Sequence, residues 1–181
     1  LGVAPGAFTL VRWIDARRLP FPGNPDRICD TVAHLEQIDR NHVPWAIVVE
    51  FNIEPDPQMF GRILAYLGLL WMEEKPAPER GDRFHVGAVQ VNLTGLGDCS
   101  RESAWPGAEL ETRLRVRERN LAALDAAEVM DQIAAGRAPR SVLPWIPLMR
   151  RGNESGMMQR WKQAAAAELV AAGIPPRVLL A

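Results

Sequence analysis

The chain has 181 residues, 48% of them hydrophobic and 24% charged, which is enough to bury a core and excludes a disordered or fibrous protein. Its net charge of −1 excludes a strongly basic surface over the whole molecule, though not a local basic face. No apolar run approaches the ~20 residues that span a bilayer, and no segment has the pattern of a secretory signal.

In chain order, Phe8–Ile14 has strand propensity, with Phe8, Leu10 and Arg12 on one side and Thr9, Val11 and Trp13 on the other. Residues 19–25 carry three prolines and a glycine and predict a loop. Residues 28–37 predict a second strand, with Asp30, Val32, His34 and Glu36 on one face. A turn at 39–42 follows, and Pro44 can only begin the next strand because it donates no hydrogen bond. Residues 45–53 are apolar on both faces near their start, the pattern of a central strand.

Asp56 and Pro57 then suit the N-cap and first position of a helix ending near Glu74. Its apolar face is expected to contain Met59, Phe60, Ile63, Leu64, Leu67, Leu70 and Trp71. Residues 84–93 predict a fourth strand and 110–116 a half-exposed fifth. Asn120 is expected to cap a helix to Ala135 that Gly136 closes. Residues 141–149 read as a buried, proline-broken extended segment. A last helix over 156–172 should turn Met157, Met158, Trp161 and Leu169 inward before Gly173. The expected fold class is α/β: one domain over 1–181, with a central mixed sheet of about five strands flanked by helices.

Glu50 stands out. It follows Ala46, Ile47, Val48 and Val49 in an apolar strand, where a carboxylate is costly unless it is paired or holds a metal. The short turn predicts an antiparallel hairpin in which facing residue numbers sum to roughly 80–82. Asp30 then falls opposite Glu50 or Asn52, all three on one side of the sheet. Opposed Cβ atoms lie about 4.5–5.5 Å apart, so the two carboxylates repel unless a cation lies between them. A hard ion such as Mg²⁺ takes one or two carboxylates and several waters. The alternative is that Asp30 is solvent-exposed and Glu50 pairs with an arginine, Arg12 or Arg62.

The strand Cys-Asp-Thr-Val-Ala-His-Leu, then Trp-Ala-Ile-Val-Val-Glu-Phe-Asn and its helix, resembles the core of the PD-(D/E)XK nuclease superfamily. It is most similar to the recombination-promoting nuclease branch, also described as transposase-like, in which Glu50, Pro55, Asp56, Met59, Arg62 and Tyr66 match branch positions. Residues 79–95 and 141–149 are similar to a group of bacterial proteins of this type, many in multicopy families. The resemblance implies a restriction-endonuclease-like core and a Mg²⁺- or Mn²⁺-dependent endonuclease acting on DNA. It implies Asp30 and Glu50 as metal ligands with the Phe51 carbonyl, and Asn52 as the water-positioning residue. Asn52 departs from the usual Lys or Gln, which leaves open a catalytically inactive relative that binds nucleic acid or protein. A helix that usually precedes the first strand is expected to lie outside this sequence.

Arg62, Arg113 and Arg115 are candidate DNA-phosphate contacts, with Arg117, Arg119, Arg12, Arg17 and Arg18 as possible extensions of the surface. The competing reading is a solvated edge that discourages aggregation. His34 could act as a base or be structural. The tryptophans read as core anchors, and Asn92-Leu93-Thr94 as a chance glycosylation match. Cys29 and Cys99 show neither a disulfide framework nor zinc spacing, so buried thiols in a reducing cytoplasm are expected.

Overall fold

A computed structural model describes residues 7–15, 29–38, 42–77, 81–104 and 111–172. The expected loop at 19–25, Arg17, Arg18, Trp105 and the stop at Gly173 lie outside the described residues. The chain divides into two compact units, Leu1–Asn92 with Gly97–Arg119 and Leu93–Leu96 with Asn120–Ala181.

The first unit is a mixed sheet with one covering helix. Strands β1 (Phe8–Ile14), β2 (Thr31–Gln37) and β3 (Trp45–Asn52) form an antiparallel meander. Helix α1 (Met59–Glu73) then crosses to β4 (His85–Asn92), which runs parallel to β3. Strands β5 (Arg101–Ala104) and β6 (Glu111–Leu114) form a separate two-stranded ribbon, and β7 (Arg117–Asn120) joins the main sheet in the order β1-β2-β3-β4-β7. The expected mixed sheet of five strands is present, and β3 is central to it. Pro44 sits at the entrance to β3, and its carbonyl accepts from His85 N at 2.9 Å.

Three sequence expectations change in this unit. A β-bulge between Leu10 and Arg12 reverses the facing of β1, so Leu10 and Trp13 share one face while Arg12 and Ile14 share the other. Helix α1 begins two residues later than expected, with Gln58 at its N-cap. Asp56 instead caps the entry turn, accepting from Gln58 N at 2.8 Å, and its carbonyl accepts from Met59 N at 3.0 Å. The strand expected over 110–116 is present but ends at Leu114: Ser100 Oγ accepts from Val116 N at 2.9 Å and donates to its carbonyl at 3.3 Å, pinning a break between β6 and β7.

The core lies between α1 and one face of the sheet. Met59, Ile63, Tyr66, Leu67 and Leu70 pack against Val32, Ala46, Val48 and Ala88. Leu64 and Trp71, expected in that stripe, are exposed. Trp71 carries the Arg83 guanidinium 5.5 Å from its ring centroid. None of the five described tryptophans is fully buried, so they are not core anchors.

In the second unit, Asp125 caps α2 (Ala126–Ala134), accepting from Ala127 N at 3.0 Å and Glu128 N at 3.3 Å. Asn120 precedes a short 3-10 turn rather than the long helix. Gly136, with φ +68°, ends α2 as expected. Asp125 is buried and bonded to Arg150 and Arg151. The guanidinium of Arg151 holds its carboxyl below the ordinary range. Arg140–Leu148 is a 3-10 helix rather than an extended segment, with Leu143 and Ile146 buried. Helix α3 (Ser155–Ala171) leaves Met157, Met158, Trp161 and Leu169 only half-buried; Trp161 Nε1 donates to the Leu143 carbonyl at 2.8 Å. Among the described residues no helix is long and apolar enough to cross a membrane.

Adjacent residues of α1 test this packing. Ile63→Ala should destabilise the protein by about 2–5 kcal/mol through transfer and cavity terms. Leu64→Ala, on the exposed side, should stay within about 0.5 kcal/mol. Urea denaturation of both variants measures the contrast, and equal losses would contradict the described face.

Candidate functional site

The β2–β3 ladder pairs Thr31 with Val49 and Val32 with Val48, each summing to 80. One step further brings Asp30, the residue before β2, opposite Glu50. Their side chains are clasped reciprocally. Phe51 N donates to Asp30 Oδ2 at 2.7 Å, and Asp30 N donates to Glu50 Oε1 at 3.3 Å. Each carboxylate is therefore held by a backbone N–H of the opposite strand. Asp30 is exposed, whereas Glu50 is only 2% exposed.

Glu50 shares its face with Val48 and Ala46, which puts it beneath α1. There the helix presents Arg62, whose Nη2 lies 3.6 Å from Glu50 Oε2 and whose Nη1 bonds Asp56 Oδ2 at 3.0 Å. Of the two arginines expected as partners, Arg62 is the one that reaches Glu50; Arg12 is exposed on β1, opposite His34. Burial opposes the charge of Arg62, but its hydrogen bonds with Tyr66 and Asp56 keep it firmly protonated.

One guanidinium does not balance the site. Burial, then the charge of Asp30, pushes the Glu50 carboxyl up to about 7 despite Arg62 and the Asp30 N–H. If Asp30, Glu50 and Asp56 are all ionised, they bring three negative charges against the one of Arg62.

Among the described residues, the buried polar atoms Asn52 Nδ2 on β3, Gln90 Oε1 on β4 and Arg62 Nε on α1 also lack a hydrogen-bond partner here. Gln90 and Asn92 pair in register with Glu50 and Asn52, so four polar side chains share the α1 face of two adjacent strands. Sequence reading missed both β4 amides. Their signal was a polar residue at alternate positions of an otherwise apolar strand.

The chain matches no family model, no curated protein and no solved structure. The site is therefore read from its own chemistry.

Among the described residues no group of three or more His, Cys, Asp or Glu side chains converges as a metal cage. The donor set is two carboxylates. It suits a hard divalent cation, which takes one or two carboxylates and keeps several waters. The excess negative charge and the unpartnered Gln90 oxygen fit the same group, whereas Asn52 Nδ2 is a donor and would not ligate it.

Other predicted residues are placed apart. Arg113 is locked to Glu102 on the β5–β6 ribbon by contacts of 2.9 Å and 3.0 Å, and Arg115 is exposed beyond that ribbon. The four alternating arginines thus do not form one strand side. His34 is buried edge-on against Phe84 at 4.9 Å. Burial lowers its pKa, so the ring stays neutral in the core. It lies four residues along β2 from Asp30, about 13 Å at strand rise. Cys29 is fully buried, and burial followed by the nearby Glu50 pushes its thiol up to about 12, so it is no nucleophile.

Folded Glu50 keeps its proton to about pH 7, whereas an unfolded glutamate loses it near 4.5. The folded state thus binds more protons in that window, and this contribution to stability falls as pH rises through it. The loss is on the order of 3 kcal/mol. Glu50→Gln should therefore gain stability relative to wild type from about pH 4.5 to about pH 7 and hold that gain above it. Urea denaturation across this range measures the difference; parallel curves would exclude the buried acid.

Proposed function

We propose that this chain is a divalent-metal-dependent endonuclease domain that hydrolyses DNA phosphodiester bonds. The observation that carries the reading is the Asp30–Glu50 clasp, two acids fixed against each other at the end of a central strand. The meander, crossover helix and parallel β4 support the PD-(D/E)XK resemblance, and with it a link to recombination or transposition.

In this reading Asp30, Glu50 and the Phe51 carbonyl hold Mg²⁺ or Mn²⁺. When bound, such an ion lowers the pKa of a water and offsets charge on a phosphoryl oxygen. The chain's residues supply the rest. Asp30 stays oriented by the Phe51 N–H and Glu50 by the Asp30 N–H. Arg62 keeps Glu50 from being fully neutralised by protonation, and Asn52 Nδ2 is a free donor for the attacking water or a phosphate oxygen. Arg115, with Arg113 if its pair with Glu102 opens, supplies DNA-phosphate contacts on a molecule with no overall basic charge. Two buried free thiols suit a cytoplasmic setting.

A second reading is a non-catalytic relative that binds nucleic acid or protein. Asn52 favours it, because a short neutral amide stands where lysine would add charge to the water site.

Purified protein, supercoiled plasmid and Mg²⁺ or Mn²⁺ decide between them. Nicking is expected from wild type, with a loss of at least about 100-fold in Asp30→Asn and Glu50→Gln, and complete loss in EDTA. Equal nicking by wild type and both variants would reject the assignment. Metal binding without nicking would favour the second reading.

A further inference from the structure

The amides of β4 form a directed relay. Gln90 is 1% exposed and Asn92 is fully buried. Gln90 Nε2 donates to Asn92 Oδ1 at 2.8 Å, and Asn92 Nδ2 donates to Glu118 Oε2 on β7 at 3.4 Å. The other Glu118 oxygen accepts from Cys99 N.

The carboxylate at the end of the relay sets its polarity. Glu118 offers only acceptors, so Asn92 must present its nitrogen there and its oxygen to Gln90. Gln90 must in turn spend its nitrogen on Asn92. Flipping Gln90 alone would put two oxygens face to face, and flipping both would put an oxygen against a carboxylate. Gly97 fixes Asn92 from the other side, because a Cβ there would collide with its amide.

The consequence is that Gln90 Oε1 is delivered, buried and without a hydrogen-bond partner, to the strand position beside Glu50. Adjacent strands are about 4.8 Å apart, so Gln90 stands one strand from Glu50 and, across β3, two strands from Asp30. Among the described residues the unspent donors of the site are Asn52 Nδ2, in the next register pair, and Arg62 Nε on α1. Once Glu50 is ionised, an amide oxygen beside it is an acceptor among acceptors, and a hard cation takes carboxylate and amide oxygens alike.

We propose that Gln90 is a further oxygen ligand of the divalent cation held by Asp30 and Glu50, oriented by Asn92 and Glu118. The inference rests on the metal-site reading and adds to it a neutral ligand from the neighbouring strand.

The test is Mn²⁺ binding by the full chain, followed by calorimetry and by water-proton relaxation of the bound ion. Gln90→Leu should weaken Mn²⁺ binding about ten-fold and add one inner-sphere water, whereas a purely structural role would not change the hydration number. Gln90→Glu, which keeps the oxygen and adds charge, should tighten binding about ten-fold and decides the matter if Gln90→Leu does not fold. Unchanged affinity or hydration in Gln90→Leu, or unchanged affinity in Gln90→Glu, overturns the role of Gln90. If Asp30→Asn still abolishes binding in that case, the metal site itself stands. Absence of Mn²⁺ binding by wild type overturns both.

Discussion

Asp30 and Glu50 repel each other, yet the hairpin brings them together and holds them with two crossed backbone hydrogen bonds. Charge-assisted bonds from N–H to carboxylate are among the stronger hydrogen bonds in proteins, and here each strand supplies one. The arrangement works in a single register. A slip of one residue would carry Glu50 to the opposite face of the sheet and break both bonds. The register is held by apolar residues, because Val32 and Val48 face each other and are fully buried in the core beneath α1. Packing therefore imposes the close approach of the acids.

The helix offsets part of that electrostatic cost and leaves part standing. Arg62 reaches both Glu50 and Asp56, so its single charge is shared between two acids. Asp56 has a second task at the entry to α1, where it accepts from Gln58 N. The guanidinium is thus held from both sides and from Tyr66, with little freedom to follow Glu50 more closely. Burial first, and the charge of Asp30 second, still push the Glu50 carboxyl up to about 7.

Local pattern explains which parts were legible in the sequence. The apolar run of β3, the short turn and the parity of residues 30, 50 and 52 were enough to place Asp30 against Glu50, because a hairpin's register follows from turn length and alternation. Arg62 was legible as one of two candidate partners. The bulge at Val11 was not, since no glycine or proline marks it in Phe8–Ile14. The break at Val116 depends on Ser100, sixteen positions away. The 3-10 helix over Arg140–Leu148 looked extended because Pro144 and Pro147 argue against an α-helix without excluding a tighter one. Gln90 carries no local signal and Asn92 only a chance glycosylation match, and it is the parallel register through α1 that makes them neighbours of Glu50 and Asn52.

That register also changes the meaning of Asn52. Under the nuclease resemblance and taken alone, it stands where a lysine would be expected. Within the sheet it stands beside Asn92, which is already committed to Gln90 and Glu118. Asn52 Nδ2 is thus a donor left over in a row of amides, and it adds no charge. A lysine there would have brought a second positive charge against the acids and eased their repulsion from within the chain. With asparagine, the excess negative charge persists. Under the metal reading, a site of this composition depends more heavily on an external cation than a lysine-bearing one, because the ion must neutralise the acids as well as activate water.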